Sequence, residues 1–479
     1  MQLKLSQFQI PIGAPFANDK LNRKEVAESL SVLIKNIKIP FVIGIDSYWG
    51  SGKTTFIKMW RQSLINDKIP TIYYNAWEND FSSSALISLL GEIDKGLDEL
   101  HISTSRRKKL GEKLDGAKKI SVDLVKRGVP IALKVLTSGV IDANQAIESA
   151  FSEFTEEYSK DMINKYEKAK YSISSFRKKL YEFIKEATKG STIFANKPFI
   201  IFIDELDRCR PNFALEILEK SKHLFNIEGI IFIYSIEKEH LGNSIKTIYG
   251  SEMDVDGYLR RFFDIIYKLP ESKIEDYSNY LFDKYNISDY FKDRTVDRYD
   301  FINLKNIFSH LFTIFNFSLR TQEQVFTQFV ICLLSTPKNV RLFAILLGTL
   351  LCIKASNPKL YYNFINRRAT GEDIIDFLNS NPSTAKLFTI TIGFIIEGYL
   401  IAIVPKGDSI DKLKYPLFEK YIKESESDPE NSIKKERVNK IRNIIQNDEM
   451  ENPEELLRYI VNKLEFIDKI KEENLSLLT

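Results

Sequence analysis

A chain of 479 residues, 44% hydrophobic and 28% charged, is too long for one compact core and too apolar for a disordered protein, so two or three domains are expected. A net charge of +3 gives no general affinity for nucleic acid, which would need a local basic patch. Cys209, Cys332 and Cys352 are odd in number and far apart, which excludes a disulfide framework and fits a reduced cytoplasmic protein; the four scattered histidines offer no metal-ligand spacing.

The N-terminus carries Pro11 and Pro15 and lacks the apolar core of a secretion signal. Apolar positions Val26, Leu30, Leu33 and Ile34 then predict an amphipathic helix over 22–37. Phe41 to Ile45 is a short apolar run without helical period, the pattern of a parallel strand buried on both faces. It leads into Ser47-Tyr-Trp-Gly-Ser-Gly-Lys-Thr-Thr55, a phosphate-binding loop. Gly50 and Gly52 allow the backbone to turn successive N–H groups toward an anion. Trp49, Gly50, Ser51, Gly52, Lys53, Thr54 and Thr55 are therefore the candidate nucleotide contacts, with Lys53 reaching the β- and γ-phosphates and Thr54 offering its hydroxyl to Mg²⁺. The helix that begins near Lys53 adds its positive end. The motif G-x-x-x-x-G-K-[ST] has Ser47 at its first glycine; the gripping amides lie later in the loop, so the site is expected to survive this departure.

A short strand at 71–74 ends in Asn75-Ala76-Trp77, and helical periodicity resumes over 82–100. Residues 101–190 have no strand signal and read as an inserted helical subdomain. Between 102 and 130 nine Lys and Arg face three acids, from Arg106 and Arg107 to Lys126 and Arg127. Two readings are open here, a solvated helix face or a surface for nucleic acid or another anionic partner; no aromatic residues interleave, which disfavours single-strand binding.

Phe199-Ile-Ile-Phe-Ile203 followed by Asp204-Glu205-Leu206-Asp207-Arg208 is a buried strand ending in an acidic pair. Such a placement puts Asp204 near Mg²⁺, usually through water, and suits Glu205 to deprotonate an attacking water. Asp207 and Arg208 either close the turn as an ion pair or present Arg208 to phosphate at a subunit boundary. Another strand over 229–234 ends at Ser235, the candidate sensor of the γ-phosphate. Arg261, in Tyr258-Leu-Arg-Arg261-Phe-Phe-Asp264, and Arg320, behind the candidate cap Ser318, are further candidate phosphate-reaching arginines, each with a structural ion pair or helix start as the alternative. Asn196-Lys197 lacks the Asp of a guanine-reading turn and precedes its strand, so ATP is favoured.

Beyond Pro270 the chain reads as helical. Two apolar stretches, 128–141 and 387–404, are short for membrane spans and carry Lys134 and Glu397 respectively. Both are expected to be buried helices, without a transmembrane segment. The fold class is thus an α/β P-loop NTPase core with a helical insertion and an all-α C-terminal half; the domains run 1–100 with 191–270, 101–190, and 271–479.

The loop, Tyr74-Asn-Ala-Trp77, Phe202-Ile-Asp-Glu-Leu-Asp-Arg-Cys209 and Phe317-Ser-Leu-Arg320 together resemble the KAP family of P-loop NTPases over about residues 20–350. The resemblance implies Mg-ATP hydrolysis, with Lys53 and Thr54 at phosphate and metal, Asp204 at Mg²⁺ and Glu205 as the base. It also implies a parallel sheet of the additional-strand type with the acidic strand beside the phosphate-loop strand, and a structural role for Trp77. Some bacterial members are linked to exclusion of phage and others organise complexes at membranes, which suggests defence and a partner protein, with a homo-oligomer or larger complex implied by arginines acting in trans. The leading expectation is an ATPase switch; the alternatives are a nucleotide-binding scaffold with little turnover and a P-loop kinase.

Overall fold

Five parallel strands form one sheet in the order β2-β3-β4-β1-β5, with β1 Phe41–Asp46, β2 Thr71–Asn75, β3 Phe199–Asp204, β4 Ile230–Ile236 and β5 Ile265–Lys268. The computed structural model describes residues 9–100, 102–126, 156–188, 197–271, 274–292, 294, 300–337, 340–380, 387–403, 415–446 and 452–465. Two compact units divide the chain, one spanning Phe8–Glu271 and the other built on Ser272–Thr479. The sheet lies wholly in the first.

Strands β3 and β4 are buried at every position, because helices cover both faces. Ile200, Phe202, Ile231 and Ile233 pack with helices α1 (Lys24–Asn36) and α2 (Lys53–Asn66). The alternate residues Phe199, Ile201, Phe232 and Tyr234 pack on the other face against α3 (Ala85–Gly96), α4 (Thr104–Lys126), α5 (Glu156–Thr188) and α6 (Pro211–Leu224). This two-residue alternation is what fixes the register. Asp46 pairs with Ile236 and Lys268, and Asn75 with Asp204, so the C-terminal strand ends line one edge.

The strand order corrects one expectation. The acidic strand β3 is not beside the phosphate-loop strand β1; β4 lies between them, hydrogen-bonded to both. A seven-residue strand buried throughout needs a neighbour on each side, which the interior position supplies. Strand β5 was not legible at all. It is a four-residue edge strand, half-buried to exposed, so its side chains show neither an apolar run nor a clean alternation.

Helices α4 and α5 belong to the same compact unit as the sheet. They form an antiparallel pair, with Lys109 joined to Glu186 at 2.6 Å and Arg106 donating to the Ala187 carbonyl at 3.1 Å. Arg107 pairs with Asp94 at 2.9 Å and Asp98 at 2.6 Å, and Lys118 pairs with Asp94. Much of the basic stretch therefore fastens the helices to each other and to α3. Arg127 and the apolar stretch 128–141 lie outside the described residues.

Among the described residues no helix is long and apolar enough to cross a membrane. Within 387–403 the helix Thr391–Ala402 is only 12 residues long, and its Glu397 is completely buried. The Glu397 carboxylate accepts from Arg437 Nε at 2.8 Å and from the Tyr421 hydroxyl at 3.0 Å. The unit Ser272–Thr479 is otherwise held by aromatic packing, for example Phe282, Phe308 and Phe329 around Phe326 and its neighbours.

Candidate nucleotide site

Strand β1 ends at Asp46 and the loop 47–52 delivers the chain into α2. Gly50 and Gly52 have φ of 75° and 84°, a region closed to most side chains. This is what lets the loop curl so that the first N–H groups of α2, which have no intrahelical partner, face the loop interior. Lys53 is buried, and its ammonium donates to the Ser47 carbonyl across the loop. Burial pulls its pKa down, while the carboxylates of Asp207, Glu237, Asp46 and Asp204 oppose that shift. The loop lysine and the acidic strand end thus share one electrostatic environment although β4 separates their strands. Thr54 and Thr55 follow, both half-buried.

Trp49 braces the loop. Its backbone N–H donates to Glu237 Oε2 at 2.8 Å, and its indole N–H donates to Asp207. Its ring stacks on His240, with centroids 3.8 Å apart. Asp207 therefore binds Trp49 and does not pair with Arg208, contrary to the turn-closing ion pair that the sequence offered. Arg208 pairs instead with Glu205 at 2.8 Å, its guanidinium 5.9 Å from the Trp49 ring and 5.7 Å from that of Trp77. In this structure it is engaged within its own turn. Trp77 itself is exposed.

Asp204 is buried at the tip of β3, where Oδ2 accepts from the Tyr73 hydroxyl at 2.9 Å and Oδ1 from the Glu205 N–H at 3.0 Å. Burial and the Asp204 charge push the Tyr73 phenol far above its ordinary range, so it stays a donor. Glu205 has φ 60° and ψ 29°, the left-handed region that a non-glycine residue rarely occupies. Such strain, about 1–3 kcal/mol, persists where surrounding structure enforces it, and it concentrates at functional sites. Here the enforcers are visible: Asn75 Nδ2 donates to Glu205 Oε2 at 3.2 Å, and Arg208 holds Oε1. Asn75 is oriented in turn by accepting the N–H groups of Trp77 at 3.1 Å and Glu78 at 3.2 Å.

Ser235 does not form the strand tip. It lies one residue inside the end of β4, opposite Ile45, and is 1% exposed. By alternation it shares the face of Ile231 and Ile233, the face that α2 covers. Its hydroxyl has no partner, nor has the buried hydroxyl of Ser51 in the loop. Unmet buried hydroxyls are uncommon in a finished core; these two lie at this edge, while Thr71 at the start of β2 and Ser278 in the helical unit are others. Arg261 is placed elsewhere. It is exposed in the turn before β5, where Asp264 N–H donates to Val42 O at 3.0 Å near the start of β1. That turn is at the opposite edge of the sheet from the loop. Arg320 stands in the other compact unit, exposed in the first turn of the helix Leu319–Leu334, whose cap Ser318 accepts from Thr321 N–H at 3.2 Å.

Sequence reasoning missed Asn75, Asp207, Glu237 and Tyr73 as parts of this site. Asn75 stood in the tetrapeptide Tyr74-Asn-Ala-Trp77 and Asp207 in the acidic strand-end motif, but neither motif named their partners. Their contacts join segments 130 residues apart, from Asn75 to Glu205, up to 188 residues apart, from Trp49 to Glu237.

A parallel sheet with an interposed strand, a glycine loop running into a helix, and an acidic strand-end turn joined to that loop by Trp49 and Asp207 define a P-loop nucleoside-triphosphatase domain. A family model described as the KAP family P-loop domain matches residues 23–395, and the chain belongs to that family. No curated protein matches the chain.

Proposed function

We propose that this protein hydrolyses Mg-ATP and uses the cycle to change its affinity for a partner protein. The observation that carries the reading is the meeting of the phosphate loop and the acidic strand end at one sheet edge, joined by Trp49 and Asp207, with Glu205 held in a left-handed backbone there. The loop amides and the Lys53 ammonium bind the β- and γ-phosphates. The residues fit a magnesium ion as well. Thr54 offers a hydroxyl and Asp204 a single buried carboxylate, and the described residues contain no cluster of three or more ligating side chains. Magnesium sites of this kind use one or two protein groups beside phosphates and waters. When bound, the ion would neutralise charge between the phosphates and polarise the one to be transferred.

Glu205 takes the proton of the attacking water. For that its carboxylate must leave Arg208, so nucleotide binding and the turn Leu206–Arg208 are coupled. Such a switch works only through unequal partner affinity in the two conformations. ATP is favoured over GTP because Asn196-Lys197 lacks the Asp of a guanine-reading turn, and Lys197 instead donates to the Asp67 carbonyl. Defence against phage in a bacterial cytoplasm is the setting that family membership suggests.

Phosphate release from ATP and GTP, with magnesium and after chelation, tests this reading. ATP turnover that is lost on chelation, and that exceeds GTP turnover, is expected. Equal rates without magnesium would contradict it.

A further inference from the structure

A third unmet polar group stands near the same edge. Arg23, the residue preceding α1, is 2% exposed. Its Nη2 donates to the Pro270 carbonyl at 3.4 Å, while Nε and Nη1 have no partner. The nearby Asp19 carboxylate accepts from the backbone N–H groups of Leu21 at 3.1 Å, Arg23 at 2.5 Å and Lys24 at 2.9 Å, not from the guanidinium. Burial lowers the Arg23 pKa to about 10, with Asp19 opposing the shift. A guanidinium has five N–H donors and no acceptor, so only an acceptor can complete it. Leaving it buried and unpaired is expensive, and a native fold keeps such a group for a reason.

Its position supplies the reason. Helix α1 ends at Asn36 just before β1 begins, so its other end, at Arg23, lies toward the C-terminal edge of the sheet. Pro270, which Arg23 touches, follows Leu269, whose N–H donates to the Asp46 carbonyl at 2.8 Å. Asp46 directly precedes the loop. The α1 face is also the α2 face, joined by the Trp60 indole N–H donating to Ser31 Oγ at 2.8 Å. Asp204 and Glu205 lie two strands from β1 on one side, through β4; Arg23 touches Pro270, just past the end of β5, on the other.

We infer that Arg23 reads the nucleoside half of the bound nucleotide, donating from Nε and Nη1 to a ring nitrogen or a sugar oxygen. This rests on the nucleotide reading above and adds a specificity residue to it. The test compares wild type with Arg23→Met, which keeps the aliphatic stem and removes the unpaired charge, and with Arg23→Lys. Binding of ATP and of tripolyphosphate is titrated, and melting is followed without ligand. In Arg23→Met, ATP affinity falls about tenfold to a hundredfold, tripolyphosphate affinity is unchanged, and the ligand-free melting temperature holds or rises. Arg23→Lys recovers part of the ATP affinity. Unchanged ATP affinity in Arg23→Met, or equal weakening of both ligands with a lower melting temperature, would overturn the assignment alone. Wild type that binds tripolyphosphate but no nucleotide would overturn the nucleotide reading and this inference with it.

Discussion

The interior of the helical unit and the C-terminal edge of the sheet both bury charge, and they treat it differently. Glu397 has no exposure, yet its two oxygens are filled by the Arg437 guanidinium and the Tyr421 hydroxyl, with Arg437 also lying 3.5 Å from the Tyr421 ring centroid. At the sheet edge Arg23 has two nitrogens without a partner, and Ser51 and Ser235 have unmet hydroxyls. Lys53 has only a backbone carbonyl as its hydrogen-bond acceptor while four carboxylates surround it. A satisfied buried charge holds a fold together. Unmet groups occur elsewhere too, Ser278 and Gln322 in the helical unit among them, but those at this edge stand beside the loop and the acidic strand end, where a bound ligand would complete them.

The contrast is sharpest in variants that separate activity from stability. Lys53→Ala should lower phosphate release at least about a hundredfold while leaving the urea midpoint near wild type, since a buried ammonium is removed along with its interactions. Glu397→Ala should do the reverse. It strands Arg437 and the Tyr421 hydroxyl, and unfolding in urea should register a loss of about 3 kcal/mol with little change in nucleotide binding. Pairing Glu397→Leu with Arg437→Met should restore most of that stability. If Glu397→Ala costs nothing, the helical unit does not depend on its buried pair.

Ser235→Ala is a smaller effect with two expected signs. Removing an unmet buried hydroxyl should raise stability by up to about 1 kcal/mol, while phosphate release drops several-fold. Loss of stability would show that the hydroxyl has a structural partner. Smallest is the response of Glu237. Burial raises its pKa above the usual carboxylate range, with the Trp49 N–H and Lys53 opposing. The folded state then holds this proton more tightly than the unfolded chain does. Its stability contribution is complete below the unfolded pKa and is lost as pH rises through the folded one. Melting of wild type and Glu237→Gln across the acid range should therefore diverge as pH rises and run parallel above that value; divergence in the other direction would refute the assignment.

How much of this was legible follows from where the signals reside. The strands Phe41–Asp46 and Phe199–Asp204 carry apolar runs beside a glycine loop or acids, and Lys53–Asn66 follows that loop, so their type and chemistry could be read locally. Lateral order could not, because no residue of β4 records that it separates β1 from β3. Strand β5 failed for lack of burial contrast. The roles of Asp207 and Arg208 were exchanged for a physical reason: adjacent residues in a tight turn looked paired, whereas the turn sends Asp207 to Trp49 and Arg208 to Glu205. Arg23 gave no sign, because a lone arginine ahead of an amphipathic helix is ordinary until its burial is known.

Glu205 joins the strain and the chemistry of the edge, so it is the place to test the account. Phosphate release and ATP binding should be measured side by side for wild type and Glu205→Gln. Undiminished ATP binding with release reduced about a hundredfold or more is the predicted result. Normal release by Glu205→Gln would contradict the assignment of the base, and with it the claim that this edge is built for hydrolysis.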